Sequence, residues 1–363
     1  MREYTKEDCL WLRLRESGKP VVLYGTGNGA DKILDVCERY GIKVDGVFAS
    51  GGFVRDRYFR GFHVESIEDI EKRLGDFTVL LCFGTTLPEV TAQIEAAAAR
   101  HELYIPDVPL YGGELFDFEY YEKNREKLRA ARELLCDEAS RELFDDIIGF
   151  RLSGRREYLS NAENPEESYK RIIAPHIEKG GLCIDCGAFT GDSAAALSRA
   201  LPLGRIAAIE ADGRSFKKLS AFAENNALCE IVPVNAAVGE VCGETEFTFG
   251  GSRASGTLST AKRTKTVTVP LVTVDSIAKE QKLSVSVIKY DVEGDEAAAL
   301  RGSRDTISAY HPALAVSVYH RSADIFDLPV MIKNMHPGYG FYMRRTPCIP
   351  AWDITLFAVE GAK

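Results

Sequence analysis

The sequence contains no apolar run of the length that a membrane-spanning helix needs, about 18 or more residues. It also lacks the apolar stretch of a signal peptide, because charged residues occupy the opening segment MREYTKEDCL. We therefore expect no membrane span and a cytoplasmic location. Nine cysteines, an odd number without an export signal, predict reduced thiols rather than a disulfide framework.

An excess of positive charge is also missing. The 363 residues include 45 lysines and arginines against 54 aspartates and glutamates, which gives a formal net charge of −9. Proteins that hold nucleic acid through bulk charge carry a basic excess, so we expect no such binding. Hydrophobic residues make up 45% of the chain and charged residues 27%, a globular composition. A chain of this length favours two domains over one.

The motifs of three common enzyme classes are absent. No H-E-x-x-H, G-x-S-x-G or G-x-x-x-x-G-K-[ST] segment occurs in the sequence. The sequence therefore does not support a zinc protease, an α/β-hydrolase or a P-loop enzyme.

The chain begins with a β/α series that predicts a small parallel sheet with helices on both faces. The predicted elements are a strand and glycine-rich turn at 20–30, a helix at 31–40, a strand at 44–50, a helix at 66–74, a strand at 78–84, a helix at 88–100 and a short strand at 103–107. Residues 114–156 then predict two or three helices with solvated charged faces. We expect a Rossmann-like α/β domain at residues 1–110 and a helical linker at 111–165.

A second β/α series predicts another domain at residues 166–363. Its strands are expected at the start of 182–192, which also holds the glycine turn and a helix start, and at 205–212, 230–239, 286–294 and 312–320, with a β-hairpin excursion within 244–275. A single helix is expected from the end of the fourth strand to about residue 307. Two closing strands joined by a short turn must be antiparallel, so the sheet is mainly parallel with an antiparallel finish.

A glycine turn at the start of this second series predicts a ligand site. Asp185 ends a strand, Gly187 and Gly191 form the turn, and a helix begins directly afterwards. Glu210 ends the next strand, where its carboxylate can hold two ribose hydroxyls. The turn lacks the spacing that seats a dinucleotide pyrophosphate, and two carboxylates suit a ligand with a cationic end. S-adenosylmethionine fits this pattern better than NAD, although a tight turn without a ligand remains an alternative.

Several segments resemble the FkbM-type S-adenosylmethionine-dependent methyltransferases. They are IDCGAFTGD at 184–192, IEAD at 209–212, VNAAVGE at 234–240, VTVDSI at 272–277, VIKYDVEGDEAAALRG at 287–302 and SVYHRSADIFDLP at 317–329. The resemblance covers about half of the chain. It implies a doubly wound class I methyltransferase sheet with an antiparallel last strand and S-adenosyl-L-methionine as cofactor.

The resemblance also assigns cofactor contacts. It implies that Asp185, Gly187, Ala188 and Gly191 lie near the methionine part of the cofactor and that Glu210 holds the ribose. Asn235 and Ala236 would lie by the adenine. Cys186 departs from the glycine that many methyltransferases carry there.

Candidate acceptor-side residues follow the fourth and fifth strands of the second series. Lys289 and Asp291 lie on one face of a central strand, Glu293 follows on the turn, and His320 ends the neighbouring strand. We predict Asp291, Glu293 and His320 as catalytic residues, because a carboxylate or histidine can take the proton of an acceptor hydroxyl. An internal Lys289–Asp291 ion pair and a hydrogen-bonded surface histidine are the structural alternatives. Two carboxylates are too few to predict a metal, so no metal ligands are predicted.

The expected function is O-methylation of a hydroxyl on a small molecule, either a glycan or a secondary metabolite. A homo-oligomer stays an open alternative. The loop at 250–265, with Arg253, Lys262, Arg263 and Lys265, is expected to cover the acceptor and favour an anionic group.

Two other functions stay open, because Gly25-x-Gly27-x-x-Ala30 matches a relaxed dinucleotide fingerprint. One is an NAD-linked oxidoreductase, and the other is a non-catalytic sensor or interaction protein that binds a nucleotide or sugar nucleotide. The next strand ends in Phe48-Ala49-Ser50, without the carboxylate that would hold a ribose. We therefore expect no tight NAD binding there.

Overall fold

The computed structural model describes residues 1–50, 58–109, 111–249 and 265–361. The strands of the first half are β1 (Val21–Tyr24), β2 (Val44–Phe48), β3 (Tyr58–Phe59), β4 (Phe62–Glu65), β5 (Thr78–Leu81) and β6 (Glu102–Tyr104). The strands of the second half are β7 (Leu182–Cys186), β8 (Arg205–Ile209), β9 (Glu230–Val234), β10 (Ala237–Val238), β11 (Gly243–Phe249), β12 (Lys265–Val272), β13 (Val285–Tyr290), β14 (Ala313–Ser317), β15 (Tyr339–Arg345) and β16 (Ile354–Glu360).

The α-helices alternate with these strands along the chain. They are α1 (Leu10–Ser17), α2 (Asn28–Tyr40), α3 (Ile67–Leu74), α4 (Pro88–Ala98), α5 (Phe118–Glu133), α6 (Glu138–Ser153), α7 (Pro165–Ser168), α8 (Asp192–Ala200), α9 (Gly213–Asn225), α10 (Val274–Gln281), α11 (Glu296–Arg301), α12 (Arg304–Tyr310) and α13 (Asp324–Met335). None of the helices in the described part of the chain combines the length and apolar composition that a bilayer crossing requires.

The first sheet has six strands in the order β3-β4-β2-β1-β5-β6. Strands β1 and β5 are buried along their whole length, as expected for parallel strands covered on both faces. The predicted strands and helices of this series are all present. Sequence reasoning missed the short antiparallel pair of β3 and β4, which extends the sheet beyond β2.

Helices α5 and α6 follow this sheet, each capped by an aspartate whose carboxylate accepts a backbone N–H of the first turn, Asp117 for α5 and Asp137 for α6. The solvated charged face expected for this stretch is wrong for two residues of α6, because Asp145 and Arg151 are buried. The apolar residues of α6 are buried in the main core, and the helix packs on the end of the second sheet, where the Met343 N–H donates to the Ser140 hydroxyl at 2.9 Å.

The second sheet has seven strands in the order β15-β16-β14-β13-β7-β8-β9. The five strands from β14 to β9 are parallel, whereas β16 is antiparallel to both of its neighbours. The doubly wound sheet with an antiparallel last strand is therefore confirmed. Side chains alternate between its faces, so Cys183 and Cys186 lie in different core clusters, as their spacing on a strand predicts.

The hairpin excursion is also present, as β11 paired antiparallel with β12, and β10 adds a third strand to it. The expected acceptor loop at 250–265 lies outside the described residues except for Lys265, the first residue of β12.

One local prediction in the second series is wrong in detail. The helix expected to continue to about residue 307 is broken at Gly302 and Ser303 into α11 and α12. Helix α10 is capped by Thr273, whose side chain accepts from the Ser276 N–H. The Asp275 carboxylate accepts from the Thr306 N–H at 2.8 Å and so holds the first turn of α12.

Candidate active site

A cavity of about 760 Å³ opens at the carboxyl edge of the seven-stranded sheet. Parallel strands end at the same edge, which is where ligands of open α/β sheets bind. Its lining includes Gly187, Phe189, Glu210 and Ala236, here called the donor wall, and Lys289, Asp291, Glu293 and His320, here called the acceptor wall. The cavity therefore joins the residues predicted for the donor with those predicted for the acceptor. Four predicted donor-side residues do not line it: Asp185, Ala188, Gly191 and Asn235.

The glycine turn after β7 depends on the missing side chain of Gly187. Its φ is +82°, and a Cβ there would lie 1.9 Å from the carbonyl oxygen of Asp291. The Gly187 N–H donates to the Ile209 carbonyl at 3.0 Å, which ties the turn to the end of β8. Glycine is thus required for β7 and β13 to end this close together. Phe189 follows with a φ of +48° and a side chain that is 52% exposed at the cavity.

Glu210 is the buried carboxylate of the donor wall, 9% exposed. Its two oxygens accept from the Phe189 N–H at 2.8 Å and the Asp212 N–H at 2.7 Å. Burial raises the pKa of Glu210 to about 7, against the lowering effect of these two hydrogen bonds. The backbone thereby fixes the carboxylate while each oxygen keeps a free lone pair.

Asn235 supports this arrangement from the end of β9. Its side-chain amide donates to the Glu210 carbonyl at 2.8 Å. The adenine contact predicted for Asn235 stays a prediction, whereas the hydrogen bond gives it a positioning role for the backbone of Glu210.

Lys289 forms an internal ion pair with two carboxylates. Its ammonium lies 3.2 Å from Asp185 and 3.8 Å from Asp291, and it donates to the Gly187 carbonyl at 2.9 Å. Burial would lower the pKa of Lys289, but the two carboxylates raise it above its ordinary value. Asp185 is fully buried and also accepts from the Ser193 hydroxyl at 2.6 Å, so it lies behind Lys289 rather than in the cavity wall.

His320 lies among three carboxylates on the acceptor wall. Its Nδ1 is 2.8 Å from Glu296 Oε1, and its Nε2 is 3.5 Å from Asp291 Oδ1 and 3.3 Å from Glu293 Oε2. Burial alone would lower the pKa of His320, but Glu296, Glu293 and Asp291 raise it well above its ordinary value. The surface-histidine alternative is wrong, because the side chain is fully buried.

Asp291 is ionised in this setting. Burial would raise its pKa, but Lys289 and His320 lower it below the ordinary aspartate value. The Tyr319 hydroxyl donates to Asp291 Oδ1 at 3.2 Å. The predicted trio of Asp291, Glu293 and His320 is therefore brought together at one end of the cavity.

Sequence reasoning missed the residues that reach the acceptor wall from elsewhere in the chain. Tyr111 packs edge-on against the His320 ring with centroids 5.2 Å apart, and Arg151 of α6 donates to the Ser322 carbonyl at 3.1 Å. Both line the cavity. Glu296 was also missed, although a carboxylate at the start of the apolar helix EAAALR is a usable signal. An arginine inside the apolar run IIGFRLS is a similar signal for Arg151.

Comparison with solved structures shows the fold. Methyltransferase FkbM from Methylobacillus flagellatus KT has a TM-score of 0.68 and 20% sequence identity, covering 95% of this chain and 93% of that chain. An rRNA methylase from Streptococcus thermophilus has a TM-score of 0.37 at 8% identity, covering 55% and 97%. Aeropyrum pernix fibrillarin, in complex with natively bound S-adenosyl-L-methionine, has a TM-score of 0.33 at 14% identity, covering 54% and 73%.

No curated protein matches the sequence. The similarity to the Methylobacillus flagellatus protein extends over both sheets and places the second sheet among class I methyltransferase folds. Residues 185–341, less than half of the chain, match the family model described as Methyltransferase FkbM domain, which confirms the resemblance.

Proposed function

We propose that the protein transfers a methyl group from S-adenosylmethionine to a hydroxyl oxygen of a glycan or secondary metabolite. The observation that carries this proposal is that Glu210 lines the same cavity as Asp291, Glu293 and His320. Its volume of about 760 Å³ is within the usual range for small-molecule sites.

The donor wall fits S-adenosylmethionine by its chemistry. Glu210 offers a backbone-fixed carboxylate with lone pairs left for a ribose diol. The cavity also includes the carboxylates of Asp192 and Asp212, whose negative charge favours a cationic ligand. When bound, S-adenosylmethionine supplies a methyl group on a positively charged sulfur.

The acceptor wall supplies positioning and a place for the proton. Transfer breaks the sulfur–methyl bond, forms an oxygen–methyl bond and releases the hydroxyl proton. Asp291 is ionised, lines the cavity and can accept a hydrogen bond from that hydroxyl before taking its proton. The Tyr319 hydroxyl holds the Asp291 carboxylate in place. Alignment of the reacting atoms contributes the rest of the rate.

Calorimetric titration with S-adenosylmethionine and S-adenosylhomocysteine tests the donor assignment. Glu210→Ala removes the acceptor of a charge-assisted hydrogen-bond pair, worth roughly 1.5–3 kcal/mol, and should weaken binding about tenfold to a hundredfold. Glu224→Ala is the matched control, because Glu224 is an exposed glutamate of α9, the helix that follows β8. Equal affinities in wild type and Glu210→Ala would contradict the assignment.

Incubation with methyl-labelled S-adenosylmethionine and a fractionated glycan or metabolite extract tests the acceptor. We expect label in an alkali-stable ether on a sugar or metabolite hydroxyl. Label recovered on a nitrogen or on a protein would contradict the proposed acceptor atom while leaving the donor assignment intact.

A further inference from the structure

The acceptor wall contains a set of donor atoms suited to a cation. Ligand atoms of Asp291, Glu296 and His320 lie within 4.8 Å of one another. Glu293 Oε2 adds a further oxygen, 3.3 Å from His320 Nε2. Three carboxylates thus surround one imidazole, and the nearby ammonium of Lys289 is already shared between Asp185 and Asp291.

Glu296 fixes the orientation of the imidazole. Its Oε1 accepts from His320 Nδ1 at 2.8 Å and from the Val292 N–H at 2.9 Å. A carboxylate bonded to one ring nitrogen is the usual support of a histidine that binds a metal through the other nitrogen. Here the other nitrogen is Nε2, on the side of Asp291 and Glu293.

Nε2 itself is an unusual buried atom. The His320 side chain is 0% exposed, and among the described residues Nε2 finds no hydrogen-bond partner. Its separations from Asp291 Oδ1 and Glu293 Oε2, 3.5 and 3.3 Å, are long for a hydrogen bond. Two ligands bonded to one tetrahedral ion at about 2.0–2.2 Å lie about 3.3–3.6 Å apart. The spacing therefore matches two edges of a tetrahedral coordination shell.

We propose that His320 Nε2, Asp291 and Glu293 bind one divalent cation at the acceptor end of the cavity. One nitrogen and two carboxylate ligands suit Mn²⁺ or Zn²⁺ better than Ca²⁺, which takes oxygen ligands only. Because all three residues line the cavity, the remaining coordination positions face the space for the acceptor.

A role for the cation rests on the proposed function. A bound hydroxyl and a neighbouring oxygen of the acceptor would expand the coordination from three protein ligands to five ligands, and the cation would make the hydroxyl proton easier to remove. The acceptor class is then a molecule with two adjacent oxygens, such as a vicinal diol of a sugar.

Binding of Mn²⁺ alone, without cofactor or acceptor, tests the site. The full chain is treated with a chelator, dialysed and titrated with MnCl₂, and the signal of free Mn²⁺ is followed by electron paramagnetic resonance. We expect one Mn²⁺ per chain, displaced competitively by Zn²⁺. His320→Ala should abolish this binding, and Glu296→Gln should weaken it about tenfold to a hundredfold through loss of the support to Nδ1.

The matched control is the surface group of His311, His336 and Glu360, another candidate set of cation ligands among the described residues. His336→Ala should leave the binding of Mn²⁺ unchanged. Glu293→Gln replaces a ligand whose side chain is 34% exposed, so it weakens binding with little risk to folding.

Two results would overturn the cation site: no Mn²⁺ or Zn²⁺ bound by the wild-type chain at millimolar metal, or binding that His336→Ala removes and Glu293→Gln does not. These results are independent of the proposed function, which is tested by donor binding. A chain that binds S-adenosylmethionine but no metal refutes only the cation site, and a chain that binds metal at His320 but no S-adenosylmethionine refutes only the proposed donor.

Discussion

Two glycine turns in this molecule make the same kind of backbone hydrogen bond to the end of the next strand but have different surroundings. The Gly25 N–H donates to the carbonyl of Phe48, and the Gly187 N–H donates to the carbonyl of Ile209. Both glycines have positive φ, +117° and +82°. The residue after Phe48 is Ala49, whereas the residue after Ile209 is Glu210.

The environments of the Gly25 and Gly187 turns differ in the same way as the residues that follow β2 and β8. In the first sheet the Tyr24 and Phe48 rings stack at 4.4 Å, and a Cβ on Gly25 would meet the Phe83 ring at 2.8 Å. In the second sheet, the turn and Glu210 line a cavity. A glycine turn therefore indicates a close approach of the backbone, and the residue that ends the next strand decides whether a polar ligand is held there.

The largest expected difference between the two turns is in the free energy of unfolding that is lost when each glycine is replaced. Gly187→Ala should reduce the free energy of unfolding by roughly 3 kcal/mol or more, because the added Cβ strikes a backbone carbonyl at a positive φ. Gly25→Ala should cost about 1–2 kcal/mol, since it carries the same φ penalty but meets a side chain that can shift. Urea denaturation measures both, and equal losses would contradict the close approach described for β7 and β13.

The pH dependence of donor binding gives the next effect. With a pKa of about 7, Glu210 is mostly protonated at pH 6 and mostly ionised at pH 8. Only the ionised carboxylate accepts hydrogen bonds through both oxygens, so affinity for S-adenosylhomocysteine should rise about tenfold over this interval. Glu210→Gln, neutral at both pH values, should bind weakly with a flatter profile. If calorimetry gives the same dependence of affinity on pH for the wild type and for Glu210→Gln, Glu210 does not titrate in this interval.

A smaller effect is expected at Asn235. Asn235→Ala removes one hydrogen bond to the Glu210 carbonyl, worth about 1 kcal/mol, and should weaken donor binding by a few-fold. Asn226→Ala is a matched control, because Asn226 makes a similar bond to the Cys229 carbonyl and does not line the cavity. If Asn226→Ala weakens donor binding as much as Asn235→Ala does, the hydrogen bond from Asn235 to Glu210 has no specific role in donor binding.

The smallest expected effect is at the first turn, where NADH should produce no tight binding. Fluorescence titration should give no saturation at micromolar NADH, and Gly27→Val should change nothing in that titration. A micromolar dissociation constant for NADH that Gly27→Val abolishes would contradict this prediction. It would show that the Gly25 turn binds NADH although Ala49, and not a carboxylate, follows β2.

Much of the fold follows from the sequence because buried parallel strands are apolar or nearly apolar segments, such as VVLY in β1 and LCIDC in β7, which contains only one charged residue. The β3–β4 pair was missed because two very short strands leave no periodic pattern. The break between α11 and α12 was missed because Ser303 and Gly302 fit a helical pattern locally, while the capping carboxylate comes from Asp275, about 30 residues away along the chain.

The site was predictable where it depends on strand ends. Asp291 and His320 follow the neighbouring strands β13 and β14, so their meeting follows from the topology. Tyr111 and Arg151 were not predictable, because they reach the cavity from outside the second β/α series through packing that no local pattern encodes. Asp185 was placed at the cofactor by resemblance, yet its full burial and pairing with Lys289 follow from the neighbouring strand.

A structure of the protein with S-adenosylhomocysteine tests the central difference between the two turns most directly. We expect the ribose hydroxyls on the Glu210 carboxylate and the sulfur directed toward Asp291 and His320, with the Gly25 turn free of this ligand. Binding at the Gly25 turn, or in the main cavity without contact to Glu210, would contradict the assignment of the donor site.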